Sequence, residues 1–250
     1  MPTAALANVQ MPINFSLVLD HSGSMSGRKL ADLKAAAKLA VDQMTPQDIV
    51  SVVAFDDKVQ VMVPAQPAAD SNRIKQQIDA IKDGGGTSIS LGMREGLNEL
   101  RKSLGPGRVS RMLLLTDGET YGDEDTCRTM AADAASMGVS ITALGLGEDW
   151  NMNLLDSIAQ ASGGDRDYIA EGQPQVVLKT FQASVQAAQG AVVQNAEMVL
   201  RLVPGVMPRQ VWRVVPLIDK LDHRALSDRD VQVALGDLVK DEGQTVLVEL

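Results

Sequence analysis

Between residues 12 and 190 the chain alternates two hydrophobic rhythms. INFSLVL (13–19), IVSVVAF (49–55), RMLLLT (111–116), VSITALGL (139–146) and DYIA (167–170) read as strands. Most of them are apolar nearly throughout, as strands covered on both faces should be. Between them apolar residues recur three or four apart, as on one face of a helix. The stripes are Leu30, Leu33, Ala37, Val41 and Met44; Ile74, Ile78 and Ile81 behind the capping pair Asp70-Ser71; Ile89, Met93, Leu97 and Leu100; Leu154, Leu155 and Ile158; and Val177, Phe181, Val185 and Ala188. KVQVMVP (58–64) alternates and follows Asp56-Asp57, which predicts the second arm of a hairpin at a sheet edge, ended by Pro64. Strands alternating with helices predict an α/β fold, a doubly wound and mostly parallel sheet. In such sheets ligands bind beyond the carboxyl ends of the strands, where strand order reverses. Asp20 and Asp117 both stand at strand carboxyl ends.

The rhythm changes near residue 190. MVLRLVP, VWRVVPLI, VQVALGDL and QTVLVEL, with turns at Pro204-Gly205 and Asp241-Glu242-Gly243, predict about four antiparallel strands, half a β-sandwich. The expected organisation is an N-terminal extension (1–11), an α/β domain (12–190) and a small β-rich region (191–250).

A formal charge of -9 removes nucleic acid as an expected partner, since phosphates want a basic face. Aromatics are only 3 %, so Leu, Ile, Val, Ala and Met must build the core. The single cysteine, Cys127, makes neither an intramolecular disulfide nor a zinc cluster. It is in helical register with Met130, Ala134 and Met137 and reads as a small buried hydrophobe. MPTAALANVQMPINF lacks a basic start followed by an apolar block, and no run approaches the ~20 residues of a membrane span. The expectation is a cytoplasmic protein.

The chemistry concentrates in LVLDHSGSMSG (17–27), where an apolar strand ends on Asp20 and serines follow at every second position. A phosphate loop needs G-x-x-x-x-G-K-[ST]; here Gly23 and Gly27 are one residue too close, Arg28 intervenes and Leu30 replaces the hydroxyl. A nucleophilic serine needs a histidine base, and the chain has only His21 and His223, both expected to face solvent. In an extended segment, positions 20, 22 and 24 project to one side, giving one carboxylate and two hydroxyls. Oxygen donors select a hard cation, and magnesium commonly keeps waters among six oxygens. GGGTSI (84–89) adds Thr87 on a glycine loop before a helix, and LLLTDGE (113–119) adds Asp117, with Gly118 letting the backbone turn. GDED (122–125) lies on the same rim; an acidic first helical turn explains it, and charge selectivity for a basic partner is the alternative. Gly27, Arg28 and Lys29 read as a helix start without a separate chemical task.

D-x-S-x-S, a Thr in a glycine loop and a strand-end T-D-G together resemble the metal-ion-dependent adhesion site of von Willebrand factor type A domains, also found in integrins. The resemblance covers about residues 12–190. It implies a doubly wound sheet with one antiparallel edge strand, which the 58–64 arm would supply. It implies that Ser22, Ser24 and Thr87 offer hydroxyls to a divalent ion, while Asp20 and Asp117 mostly hold coordinating waters. Many bacterial proteins resembling this one carry a comparable β segment after the domain. Two carboxylates acting mainly through water leave the ion electrophilic, so an open position attracts a partner's Asp or Glu. The expected function is therefore a non-enzymatic, metal-dependent protein-interaction module using Mg2+, with Mn2+ or Ca2+ as alternatives. A magnesium-dependent hydrolase, or a chelatase-like subunit beside a ring ATPase, is the alternative.

Overall fold

The computed structural model describes residues 11–105, 107–117, 120, 122–146, 151–169, 179, 191–215, 218–239 and 243–250. The chain divides into two compact units, Met1–Gly190 and Ala191–Leu250. The first is built on a six-stranded sheet of β1 (Ile13–Asp20), β2 (Ile49–Phe55), β3 (Val59–Pro67), β4 (Val109–Thr116), β5 (Val139–Leu146) and β6 (Arg166–Ile169), in the order β3-β2-β1-β4-β5-β6. All neighbours are parallel except β2 and β3, so the edge strand is antiparallel. The flanking helices are α1 (Arg28–Asp42), α2 (Ser71–Asp79), α3 (Ile89–Arg101), α4 (Glu124–Ser136) and α5 (Met152–Ser162). The expected helix through Val177, Phe181, Val185 and Ala188, the turn residues Gly118, Asp241 and Glu242, and most of the N-terminal extension lie outside the described residues.

Every residue of β1, β4 and β5 is buried, which is why these segments are apolar without alternation. Val18, Met112, Leu114, Ile141 and Ala143 share one core with Met93 and Leu97 of α3, Cys127 and Ala131 of α4, and Leu155 and Ile158 of α5. Burial pushes the Cys127 thiol up to about 12, which fits a packing role. The α3 helix comes close to the sheet because two of its residues have no side chain. A Cβ at Gly92 would stand 2.5 Å from Phe55 Cδ1 and 3.0 Å from Val18 Cγ1; one at Gly96 would stand 2.5 Å from Val18 Cγ2.

Pro64 does not end its strand. β3 continues to Pro67, and its register slips between the pairs Val52–Val63 and Val50–Gln66, so Pro64 falls in an irregularity of an edge strand, where no ladder bond needs its missing N–H. Beside it, Ala65 N–H donates to Glu99 Oε2 of α3 at 2.7 Å, and Glu99 is buried with Lys102 at its other oxygen.

Strand order reverses between β1 and β4, so the connections that follow these two strands leave in opposite directions, and in such sheets that is where ligands bind.

The second unit holds two three-stranded antiparallel sheets. One orders β10 (His223–Ala225), β11 (Asp230–Val239) and β7 (Ala191–Arg201); the other orders β12 (Thr245–Glu249), β8 (Gln210–Val215) and β9 (Asp219–Lys220). There are thus six strands among the described residues rather than four. β9 and β10 have two and three residues, too short to leave a periodic signal. Val211, Leu221, Val231 and Val233 form a small core shared by both sheets. His223, expected in a solvent-facing loop, is half-buried in β10. Among the described residues no helix is long and apolar enough to cross a membrane.

Candidate metal centre at the ends of β1 and β4

β1 ends on Asp20, which is 0 % exposed. Its Oδ1 accepts the Ser22 N–H at 2.8 Å and its Oδ2 accepts the Thr116 hydroxyl at 2.6 Å, so one carboxylate both turns the chain and ties β1 to β4. Ser22 then opens a 3-10 turn, Gly23–Met25, anchored by the buried Met25. The segment is therefore not extended, as the alternation of serines suggested. The hydroxyls converge because the chain coils: Ser22 Oγ lies 3.2 Å from Ser24 Oγ, and the Ser24 hydroxyl donates to Asp117 Oδ1 at 2.8 Å. Asp20, Ser22, Ser24 and Asp117 thus form one connected cluster of hard oxygen donors.

Thr87 is half-buried on the 84–88 loop, two residues before α3. The loop is held against the first segment by Gly84 N–H to His21 O (2.7 Å) and Gly23 N–H to Gly85 O (3.0 Å). Asp56 fixes it from the other side, accepting Gly85 N–H at 2.9 Å on Oδ2 and Lys58 N–H on Oδ1. No hydrogen bond joins Thr87 to the other four residues among those described. The structure therefore brings four of the five into contact and sets the fifth on a loop bonded to their segment.

Burial pushes the Asp20 carboxyl above its ordinary range, and the nearby Asp117 adds to the shift, against hydrogen bonds from Thr116 and Ser22. Asp117 is 2 % exposed, and its Oδ2 accepts from Lys29 Nζ at 2.6 Å. Gly27 makes this contact reachable: at φ 76° and ψ -124° it takes a backbone conformation costly for other residues and starts α1 directly behind the 3-10 turn. Lys29 was not singled out by the sequence pattern. The available signal was its place in the first turn of a helix, where the dipole disfavours a cation unless an anion answers it.

Two further residues shape the site without belonging to the D-x-S-x-S motif. Asp56 is the first. Asp123 is the second: it accepts the Ser88 hydroxyl (3.1 Å), Ser90 N–H (2.8 Å) and the Thr120 hydroxyl, joining the start of α3 to the loop after β4. Burial alone would raise its pKa, but these bonds from Ser90, Thr120 and Ser88 hold it below the ordinary carboxylate range. Of the GDED stretch, Asp123 is thus committed inward and Glu124 and Asp125 form the acidic first turn of α4. Asp123→Ala is expected to destabilise the fold by about 1–2 kcal/mol in denaturant unfolding, because three donors lose their acceptor. Above the ordinary range the ionised Asp123 contributes stability, lost as the pH falls through its depressed folded value, so the deficit of the variant should shrink in acid.

His21, expected in solvent, is half-buried beside Asp56 and Gly84, and its Nδ1 is buried without a hydrogen-bond partner. Neither serine hydroxyl hydrogen-bonds to it. Among the described residues no group of three or more His, Cys, Asp or Glu is placed to hold a metal, so any cation here relies on hydroxyls as well as the two carboxylates.

The family model described as von Willebrand factor type A domain matches residues 14–183. The chain is 33 % identical over 246 residues to uncharacterized protein sll0103 of Synechocystis sp., across 96 % of this chain and 57 % of that one. It is 32 % identical over 166 residues to human inter-alpha-trypsin inhibitor heavy chain H4, covering 62 % and 18 %. The chain therefore spans little more than half, or much less, of these relatives. Among solved structures, a von Willebrand factor type A protein from Catenulispora acidiphila superposes with a TM-score of 0.82 at 22 % identity, over 96 % of this chain and 58 % of that one. Proximal thread matrix protein 1 from the mussel byssus, described with a zinc-occupied MIDAS motif, gives a TM-score of 0.61 at 19 % identity, over 70 % and 46 %. With the doubly wound sheet, its antiparallel edge and the family match across most of the first unit, the chain belongs to the von Willebrand factor type A domain family, whose members are metal-dependent adhesion and protein-interaction modules.

Proposed function

We propose that Asp20, Ser22, Ser24, Thr87 and Asp117 hold a divalent cation, and that a protein partner's Asp or Glu carboxylate completes the site. The observation that carries this reading is the connected cluster of Asp20, Ser22, Ser24 and Asp117 at the strand-order reversal. The all-oxygen donor set suits a hard ion, so we name Mg2+, with Mn2+ or Ca2+ able to replace it. The bound ion supplies a Lewis-acidic position that takes an anionic oxygen. The protein does the rest: Asp20 and Asp117 provide the balancing negative charge, the serine hydroxyls provide neutral donors, and the glycine loop brings in Thr87. Neutral hydroxyls offset less of the ion's charge than a cage of carboxylates would, which keeps it receptive to a partner's acid. We read the chain as a binding module rather than an enzyme, and the 191–250 unit as an accompanying β region.

The test is binding of Mg2+ and Mn2+ by calorimetry, paired with affinity capture in the presence of each ion. Captured protein is expected to elute with chelator and to be absent when Ser24→Ala is the bait. A specific partner that stays bound in chelator would overturn the reading.

A further inference from the structure

The first turn of α1 carries two cations, Arg28 and Lys29, at the end of a helix that favours anions. Arg28 is 70 % exposed and has Asp32 one turn on. Lys29 is placed differently. Its side chain is 19 % exposed, and its ammonium sits on Asp117 Oδ2 at 2.6 Å while the Ser24 hydroxyl holds Oδ1. Both oxygens of Asp117 are thus engaged, and one of the two buried carboxylates in the cluster is already neutralised by the chain itself.

We propose that Lys29 is a tethered cation that competes with the divalent ion for Asp117, and so sets the ion concentration at which the site fills. This rests on the reading of Asp117 as part of the cation site. Without the ion, Lys29 answers a buried carboxylate that would otherwise stand unpaired. With the ion, the ammonium becomes a like charge beside a divalent centre. Even at nearly water-like screening, a unit charge a few ångströms from a divalent ion changes affinity by about tenfold. Removing the lysine charge therefore has opposite effects on the two states. It destabilises the ion-free chain and tightens ion binding. A lysine that only supported the fold would do the first without the second.

Lys29→Gln, Lys29→Met and Lys29→Arg are compared with wild type and Asp20→Asn, using titration with MgCl2 and MnCl2 and melting in chelator and in saturating ion. Lys29→Gln is expected to bind Mg2+ about tenfold more tightly, to melt lower in chelator and to gain more on ion addition. Lys29→Met, which keeps the aliphatic stem, repeats the result if polarity at position 29 disturbs folding. Lys29→Arg keeps the charge and is expected to bind as wild type does. Unchanged or weaker ion binding in both neutral variants overturns the proposal, since Lys29 would then position Asp117 or play no part. Equal tightening in Lys29→Arg also overturns it, because charge would not be the cause. If wild type binds no ion and matches Asp20→Asn throughout, the cation site itself is refuted.

Discussion

Asp20→Asn is expected to abolish the response to divalent ions while raising the melting temperature of the ion-free protein at neutral pH. The two effects come from the same burial. Asp20 has no exposed surface and accepts two short hydrogen bonds, from Ser22 N–H and the Thr116 hydroxyl. Burial lifts its folded pKa above the ordinary value of 3.8 despite those bonds. A raised carboxyl binds its proton better in the folded state. Its contribution to stability is present below the ordinary value and is lost as the pH rises through the folded value. At neutral pH the ionised group therefore works against the ion-free fold. Asparagine has the same shape, keeps an oxygen for Ser22 and can offer its amide N–H to Thr116, whose hydroxyl then accepts. It removes the charge that the fold must bury. It also removes half of the negative charge on which a cation depends, and the loss of ion affinity should reach about 100-fold. Melting curves in chelator and in excess Mg2+, across acidic and neutral pH, should show the variant more stable without ion and indifferent to it. An undiminished ion response in the variant would remove Asp20 from the site.

The second large effect is expected at Gly92. Alanine in a helix interior normally gains about 0.5–1 kcal/mol over glycine. At Gly92 that gain is outweighed, because the new Cβ meets Phe55 Cδ1 at 2.5 Å and Cγ at 2.8 Å, and Phe55 is itself fully buried in the core. Overpacking costs about 1–3 kcal/mol, and three contacts at 3.0 Å or less put this site at the upper end, so a net loss of about 2 kcal/mol is expected from denaturant unfolding. The helix must also lift, and α3 begins two residues after Thr87. Gly92→Ala should therefore weaken ion binding as well as the fold. Gly105→Ala is the control: a Cβ there meets nothing within 4 Å, and its stability should stay within about 0.5 kcal/mol of wild type. Equal effects at the two positions would remove the close helix–sheet contact as the cause.

Much of the first unit was legible in the sequence because its signals are periodic. Strands buried on both faces are apolar runs and helices carry apolar stripes, and their alternation predicts a mostly parallel sheet. That put Asp20 and Asp117 each at a strand carboxyl end, while the reversal that makes β1 and β4 neighbours is seen only in the fold. The local path from His21 to Met25 was not legible. Alternation of side chains holds only in extended chain, and the hydrogen bond from Ser22 N–H to Asp20 coils this segment instead. Lys29 was missed for another reason: a cation in a first helical turn calls for an anion, but its contact with Asp117 crosses 88 residues, so local pattern cannot say which one. Pro64 misled because proline bars a central strand but not an irregular edge. Thr87 lies on the 84–88 loop before α3, among the described residues without a hydrogen bond to the other four.

The hydrogen bond from Ser24 to Asp117 spans 93 residues, and that from Thr116 to Asp20 spans 96. Parallel pairing of β1 with β4 imposes this separation, and it has a kinetic meaning. Contacts so distant along the chain close late, after loop entropy has been overcome. A nascent or partly folded chain holds the serines of the site long before it can bring Asp117 to them. Ion binding should thus be absent from the folding transition state, leaving the folding rate unchanged and slowing unfolding. Mg2+ would act on this domain as a latch that closes only on a finished fold.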